Sequence, residues 1–184
     1  AEKIDLTKSY TVEIQGIGTK NAFPMGIFDC DEFVANYTYD GDDLGAVIQG
    51  SATTFKVWAP TASKVVLNLF EAGDGVQAYK NVDMVKGDKG VWSHTEACGH
   101  GTYYTYTVTT SAGTQEAVDP YAKAAGVNGN RGMVLDLSRT NPEGWENDRN
   151  PHAGKSITDA VIYELHIRDL SMHRSSRIKN KGMF

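Results

Sequence analysis

Thr102-Tyr103-Tyr104-Thr105-Tyr106-Thr107-Val108 places Tyr104, Tyr106 and Val108 on one side of an extended chain and Tyr103, Thr105 and Thr107 on the other, because successive side chains of a strand point to opposite faces. The first set is predicted as core, since a one-residue slip would exchange the two faces. Tyr103 then faces outward, where its ring is free to stack on an apolar partner.

The same period recurs on the N-terminal side of this run. Phe55, Val57 and Ala59 alternate with Lys56 and Trp58; Val65, Leu67 and Leu69 alternate with Val66, Asn68 and Phe70; a weaker run covers Gln77 to Val85, and a further one Val91 to Glu96. Gly87-Asp88-Lys89-Gly90 and Gly99-His100-Gly101 supply turns between them. Five short strands at spacings of roughly 8 to 12 residues, separated by turn signals, predict a β-sandwich. Trp58 and Trp92 pose the same choice as Tyr103: packing within the sandwich, packing against a neighbouring domain, or an exposed aromatic platform.

Tyr39-Asp40-Gly41-Asp42-Asp43-Leu44-Gly45-Ala46 precedes the sandwich and sets two glycines among its carboxylates. It lacks the alternating ligands and closing glutamate of an EF-hand, so a solvated connection is expected there and no metal is assigned. Farther back, Tyr10 to Ile17 alternates as a strand and Asp29 to Ala35 reads as a short helix. Beyond Thr114, Asn128-Gly129-Asn130-Arg131-Gly132 reads as a turn and Met133 to Leu137 as one more short strand. Ser138 to Ser156, with Pro142, Pro151 and Gly154, reads as a surface linker that places a domain boundary near residue 155.

Ala160-Val161-Ile162-Tyr163-Glu164-Leu165-His166-Ile167-Arg168-Asp169-Leu170 alternates as well and predicts a strand. One face carries Val161, Tyr163, Leu165 and Ile167, too apolar to be left uncovered; the other carries Ile162, Glu164, His166 and Arg168, whose ionisable groups need partners if buried. No later segment of this sequence supplies them, so the chain is expected to begin a second domain that it does not complete.

Composition bounds the function. The chain has 184 residues, 40% of them hydrophobic, 22% charged and 10% aromatic, with a formal net charge of -5. Such a length holds one sizeable core with short additions and excludes a complete (β/α)8 barrel. The acidic balance lacks the clustered Lys and Arg that nucleic acid or an anionic membrane calls for, and no membrane span is predicted. Cys30 and Cys98 lie far apart without a CxxC pair, which excludes a disulfide-dense scaffold and a cysteine zinc site and leaves either two thiols or one long bridge.

Several segments, in order, resemble type I pullulanases, debranching members of the α-amylase superfamily. Tyr39 to Ala46 and Phe55-Lys56-Val57-Trp58-Ala59-Pro60-Thr61-Ala62 look like the lead-in and first strand of that family's immunoglobulin-like β-sandwich, a family 48 carbohydrate-binding module. Gly101-Thr102-Tyr103-Tyr104-Thr105-Tyr106 and Val118-Asp119-Pro120-Tyr121-Ala122-Lys123-Ala124 look like its closing strand and exit, and Tyr163 to Ser171 with Ile178-Lys179-Asn180-Lys181-Gly182 like the start of the catalytic barrel. The fold so implied is mainly β: a lead segment over 1–45, the sandwich over 46–137, a linker over 138–157, and over 158–184 the first strand of an otherwise missing (β/α)8 barrel.

The resemblance implies hydrolysis of α-1,6 branch linkages in pullulan- and amylopectin-type α-glucans with retention, by two carboxyl groups about 5 to 5.5 Å apart. In the family these sit on later barrel strands, and the Tyr-Asn-Trp-Gly-Tyr-Asp-Pro signature is absent here, so no catalytic residue is assigned to this chain. Tyr163, Glu164, His166, Arg168 and Asp169 are expected to be structural or wall-forming groups of the barrel. Trp92 and Tyr103 are the candidates for stacking on an α-glucan. No cofactor is required in this chain, with calcium left open for the whole enzyme; the implied partner is the remainder of that enzyme, and the implied location extracellular, with a cytoplasmic one left open. A stand-alone, non-catalytic α-glucan-binding sandwich is the alternative, and a sandwich for a protein partner a third.

Overall fold

The computed structural model describes residues 4–23 and 25–183 and divides into two compact units, 1–141 and 142–184. Short turns at Trp145–Asn147 and Ile157–Asp159 open the second unit.

In the first unit, β1 (Tyr10–Ile14) and β2 (Gly18–Ala22) form an exposed hairpin. Helix α1 (Asp31–Tyr37) follows, with Asp31 and Glu32 in its first turn, where their charge complements the positive end of the helix dipole. The Cys30 thiol caps it by accepting from the Phe33 N–H. Then come β3 (Gly45–Gln49), β4 (Ala52–Trp58), β5 (Lys64–Phe70), β6 (Lys80–Asp83), β7 (Val85–Lys86), β8 (Val91–Glu96), β9 (Tyr103–Thr110), β10 (Gly113–Ala117) and β11 (Gly132–Met133). All pairings are antiparallel. One sheet runs β3-β4-β8-β7 and the other β10-β9-β5-β6, with β11 beside the Tyr103-Tyr104 end of β9.

The inner faces of these sheets build the core. Phe55 and Val57 of β4 and Trp92 of β8 meet Val65, Leu67 and Leu69 of β5 and Tyr104 and Tyr106 of β9. Phe55 and Tyr104 link the two sheets edge to face, their rings 4.9 Å apart, and Tyr106 follows Tyr104 at 5.7 Å. The alternation read from β4, β5 and β9 is the one observed, and Tyr104 and Tyr106 are core as expected. The weak run over Gln77 to Val85 resolves into β6 and β7 in different sheets, and the run over Met133 to Leu137 shrinks to the two-residue β11.

Two polar features tie the sandwich together. On the outer face of the second sheet, the Asn68 amide donates to the Thr105 and Thr107 hydroxyls at 3.1 and 2.9 Å and accepts from Asn81 at 2.6 Å, while Thr105 donates to Glu116. This ladder buries Thr105 although it faces away from the core. At the exit of the sandwich, Asp119 is buried and accepts from the Tyr104 hydroxyl at 2.7 Å and the Tyr121 N–H at 2.9 Å. Burial raises its carboxyl pKa against the pull of those two donors.

The second unit corrects one expectation. Residues 160–170 are not a strand: Ala160 to His166 run without ladder partners, and α2 (Ile167–Met172) begins immediately after, capped by His166. Alternation marks the two faces, but a strand exists only through hydrogen bonds to a neighbour, and among the described residues none pairs with this segment. Val161, Ile162 and Tyr163 are 95%, 85% and 80% exposed. Within this unit the Ser171 hydroxyl is buried, donating to the Arg168 carbonyl and accepting from the Gly182 N–H at 2.7 Å.

Candidate functional site

Of the residues predicted to stack on sugar, Trp92 is corrected. It is 5% exposed, its ring lies in the core, and its indole N–H donates to the Ala59 carbonyl at 3.0 Å. It sits on the inner face of β8 opposite Val57, which is why no ring face is left for a ligand. Tyr103 does face outward, but only half-exposed: Gly73 and Gly126 approach each other beside it, with room at Gly73 limited by the Tyr103 ring itself. Arg131 fastens the loop carrying Gly73, its guanidinium 3.7 Å from the Phe70 ring centre and donating to the Ala72 and Val76 carbonyls.

The barrel residues do not converge either. Tyr163, Glu164, His166, Arg168 and Asp169 are all exposed, and their ionic contacts are local ones, His166 to Asp169 and Arg168 to Asp169, each at 3.6 Å. Among the described residues no cluster of His, Cys, Asp or Glu has the geometry of a metal site, and Cys30 and Cys98 are both free thiols.

What the fold does assemble is an aromatic concavity of about 390 Å³ beside the sandwich, lined by Phe28, Phe33 and Tyr37 of the lead segment, Tyr39, Trp58 of β4 and Tyr121 of the exit. Phe33 and Tyr37 are four apart and so share one face of α1; their rings stack at 5.0 Å, and Phe33 meets the Trp58 ring edge to face at 6.5 Å. Trp58 cannot turn away, because its indole N–H donates to the Tyr37 and Lys89 carbonyls at 2.9 and 3.0 Å.

The neighbouring acidic segment is less free than a solvated connection. Asp43 accepts from both the Tyr39 hydroxyl and the Lys56 ammonium, pinning Tyr39 against β4. The hydrogen bond from Lys56, then that from Tyr39, lowers the Asp43 carboxyl pKa, and the same bonds raise those of Lys56 and Tyr39. Of this site, sequence reasoning had only Trp58 as a candidate; Phe33 and Tyr37 carry a readable signal in their spacing, whereas Phe28, Tyr39 and Tyr121 reach it through the tertiary fold alone.

Gly45 sets the position of Tyr121. Its φ is +96°, and a Cβ there would lie 2.9 Å from the Tyr121 carbonyl oxygen and 3.3 Å from its Cβ. Gly45→Ala is therefore expected to cost about 1 to 3 kcal/mol in backbone strain and displaced contact. A urea midpoint unchanged from the parent would contradict this placement.

The profile of carbohydrate-binding module 48 (isoamylase N-terminal domain) matches residues 43–122, which span β3 to the Tyr121 exit. The chain is similar to pullulanases. That of Bacillus subtilis is 37% identical over 153 residues, covering 83% of this chain and 20% of its own length. The solved structure of Bacillus acidopullulyticus pullulanase is 40% identical with a TM-score of 0.79, covering 99% of this chain and 22% of that one. That of Paenibacillus barengoltzii pullulanase in complex with maltohexaose and α-cyclodextrin is 52% identical with a TM-score of 0.72, covering 83% and 24%. The chain spans a fifth to a quarter of the length of these relatives.

Proposed function

We propose that this chain serves as the non-catalytic N-terminal portion of a secreted pullulanase that hydrolyses α-1,6-glucosidic branch linkages in pullulan- and amylopectin-type α-glucans. The carrying observation is the match to pullulanases along most of this chain but only a fifth of theirs. The retaining two-carboxylate chemistry then belongs to the remainder, as does any calcium, and this portion supplies packing surface rather than reacting groups. The location that goes with this reading is extracellular, where the enzyme would meet branched glucan outside the cell. The maltohexaose and α-cyclodextrin complex of the Paenibacillus barengoltzii enzyme supports α-glucans as the substrate class.

The exposed run Val161 to Tyr163 fits this role, since contiguous apolar surface of that kind marks a surface that another body covers. On this reading it becomes a strand once barrel neighbours provide a ladder. The chain alone is expected to release no reducing ends from pullulan, and a hybrid in which it replaces the matching segment of the Paenibacillus barengoltzii enzyme is expected to release them. Hydrolysis by the isolated chain, or a folded but inactive hybrid, would refute the proposal.

A further inference from the structure

The turn at Asn128-Gly129 sets a chemically unstable pair of residues where the backbone calls for that very pair. Asn128 is the only asparagine of this chain followed by glycine. It has φ +55° and ψ +18°, and Gly129 follows with φ +71°. Two successive left-handed residues make the central pair of a type I′ turn, closed here by the Asn130 N–H donating to the Val127 carbonyl at 3.2 Å. Asn-Gly is favoured there because asparagine tolerates the left-handed region and glycine meets no steric penalty in it. Apart from glycines, only Lys89 shares this conformation among the described residues.

The surroundings fix the base of the turn and leave its tip in solvent. The Gly126 N–H donates to the Arg131 carbonyl and the Met133 N–H to the Ala124 carbonyl, both at 2.8 Å. Gly126 is pressed against Gly73, where a Cβ would lie 2.7 Å from the Gly73 Cα, and Arg131 holds the loop carrying Gly73 through Ala72 and Val76. Residues 127–130 are all exposed, so the Asn128 carboxamide is open to water.

We propose that Asn128-Gly129 is a site of spontaneous covalent modification, at which Asn128 becomes isoaspartate and aspartate through a cyclic imide, with the folded turn as its brake. The Gly129 nitrogen attacks the side-chain carbonyl carbon of Asn128. A C–N bond closes the ring, the carboxamide nitrogen leaves as ammonia, and the proton lost by the Gly129 amide leaves with it. Water, the one co-reactant, then opens the ring at either carbonyl. Breaking the bond from the Gly129 nitrogen to the side-chain carbonyl gives aspartate; breaking its bond to the main-chain carbonyl gives isoaspartate, with the chain rerouted through the side chain.

The brake is conformational. At ψ +18° the Gly129 nitrogen is rotated away from the Asn128 Cβ, and its N–H is held by the Gly126 carbonyl at 3.1 Å. Ring closure therefore waits for the turn to open, a local event that spares the core. Isoaspartate adds a carbon to the main chain just beyond the Gly126–Gly73 contact, which loosens the loop carrying Gly73 beside Tyr103.

Peptide mapping of the purified chain after incubation at mildly alkaline pH tests the site. Trypsin releases Ala124 to Arg131, which holds Asn128 and, as internal reference, Asn130; electron-transfer fragmentation separates isoaspartate from aspartate. Conversion of Asn128 with isoaspartate in excess and Asn130 intact is expected, about three- to thirtyfold slower in the folded chain than in urea because the turn must open first. Asn128→Gly keeps the left-handed freedom and removes the carboxamide, so its urea midpoint should survive the incubation that lowers the parent's. Asn128 retained in the folded chain beyond that range, or Asn130 converted as fast, would overturn the site. Equal rates folded and in urea would overturn the brake, and an Asn128→Gly midpoint that falls with the parent's would overturn the effect on the Gly73 loop.

Discussion

Phe55→Ala is expected to lower the unfolding free energy of the sandwich by about 3 to 5 kcal/mol, a large part of the ~5 to 15 kcal/mol that holds a domain of this kind. Phe55 is fully buried on β4, and its ring meets Tyr104 of the opposite sheet edge to face. Truncation loses the transfer free energy of the ring, leaves a cavity between two sheets that cannot close over it, and removes an aromatic pair contributing about 0.5 to 1.5 kcal/mol beyond its area. Urea unfolding followed by tryptophan emission measures the loss. Lys64→Ala serves as the control: its ion pair with Asp83 joins two side chains 54% and 70% exposed, and such pairs contribute little. If both substitutions shift the midpoint equally, the ring does not bridge the sheets as described.

The second expected result is a steep loss of stability above pH 10. Burial, and then the nearby Asp119 carboxylate, push the Tyr104 and Tyr106 phenols well above their ordinary value of 10. Unfolded, both ionise near that value; folded, both keep their protons. Above pH 10 the folded state therefore binds about two more protons than the unfolded one, and stability falls as pH rises. The slope approaches about 2.7 kcal/mol per pH unit at 1.36 kcal/mol per proton, so pH 12 removes roughly 5 kcal/mol.

Asp119 has the same sign at the acid end. Its raised carboxyl pKa makes the folded state the better proton binder just above 3.8, so this group's contribution falls as pH rises through that window. Tyrosinate absorbance appearing in step with unfolding, and a slope cut by more than half in the Tyr104→Phe/Tyr106→Phe double variant, are the expected readings. Ionisation of all nine tyrosines in a still-folded protein would contradict the burial. Tyr106→Phe alone should cost little at neutral pH, because among the described residues its buried hydroxyl finds no partner at hydrogen-bond distance.

Much of this molecule was legible in its residues. The two-residue period of Phe55-Lys56-Val57-Trp58 and Tyr103 to Val108 told which side chains face inward, because the pleat makes that a local property of the chain. The helix over the Asp29 to Ala35 region was marked by its acidic start, and it forms as Asp31–Tyr37. By contrast β3 and β10 carry no such mark: the turn-rich run Tyr39 to Ala46 covers only the start of β3, and no alternation is read over Gly113 to Ala117. Gly45–Gln49 and Gly113–Ala117 are strands because β4 and β9 offer them free edges, and an edge is not written in the segment that pairs with it.

Alternation thus determined the faces and the sandwich, and the order of the motifs the resemblance to a pullulanase module, all of which depend on neighbours along the chain. Only the tertiary structure decided that Trp92 is core while Trp58 stays at the surface, that Phe33, Tyr39 and Tyr121 enclose one concavity, and that Ala160 to His166 lies unpaired. Burial and strand pairing are settled by what approaches from elsewhere. Two tryptophans with the same local pattern therefore end in different surroundings, and an ideal strand pattern without a neighbour remains an exposed, apolar stretch.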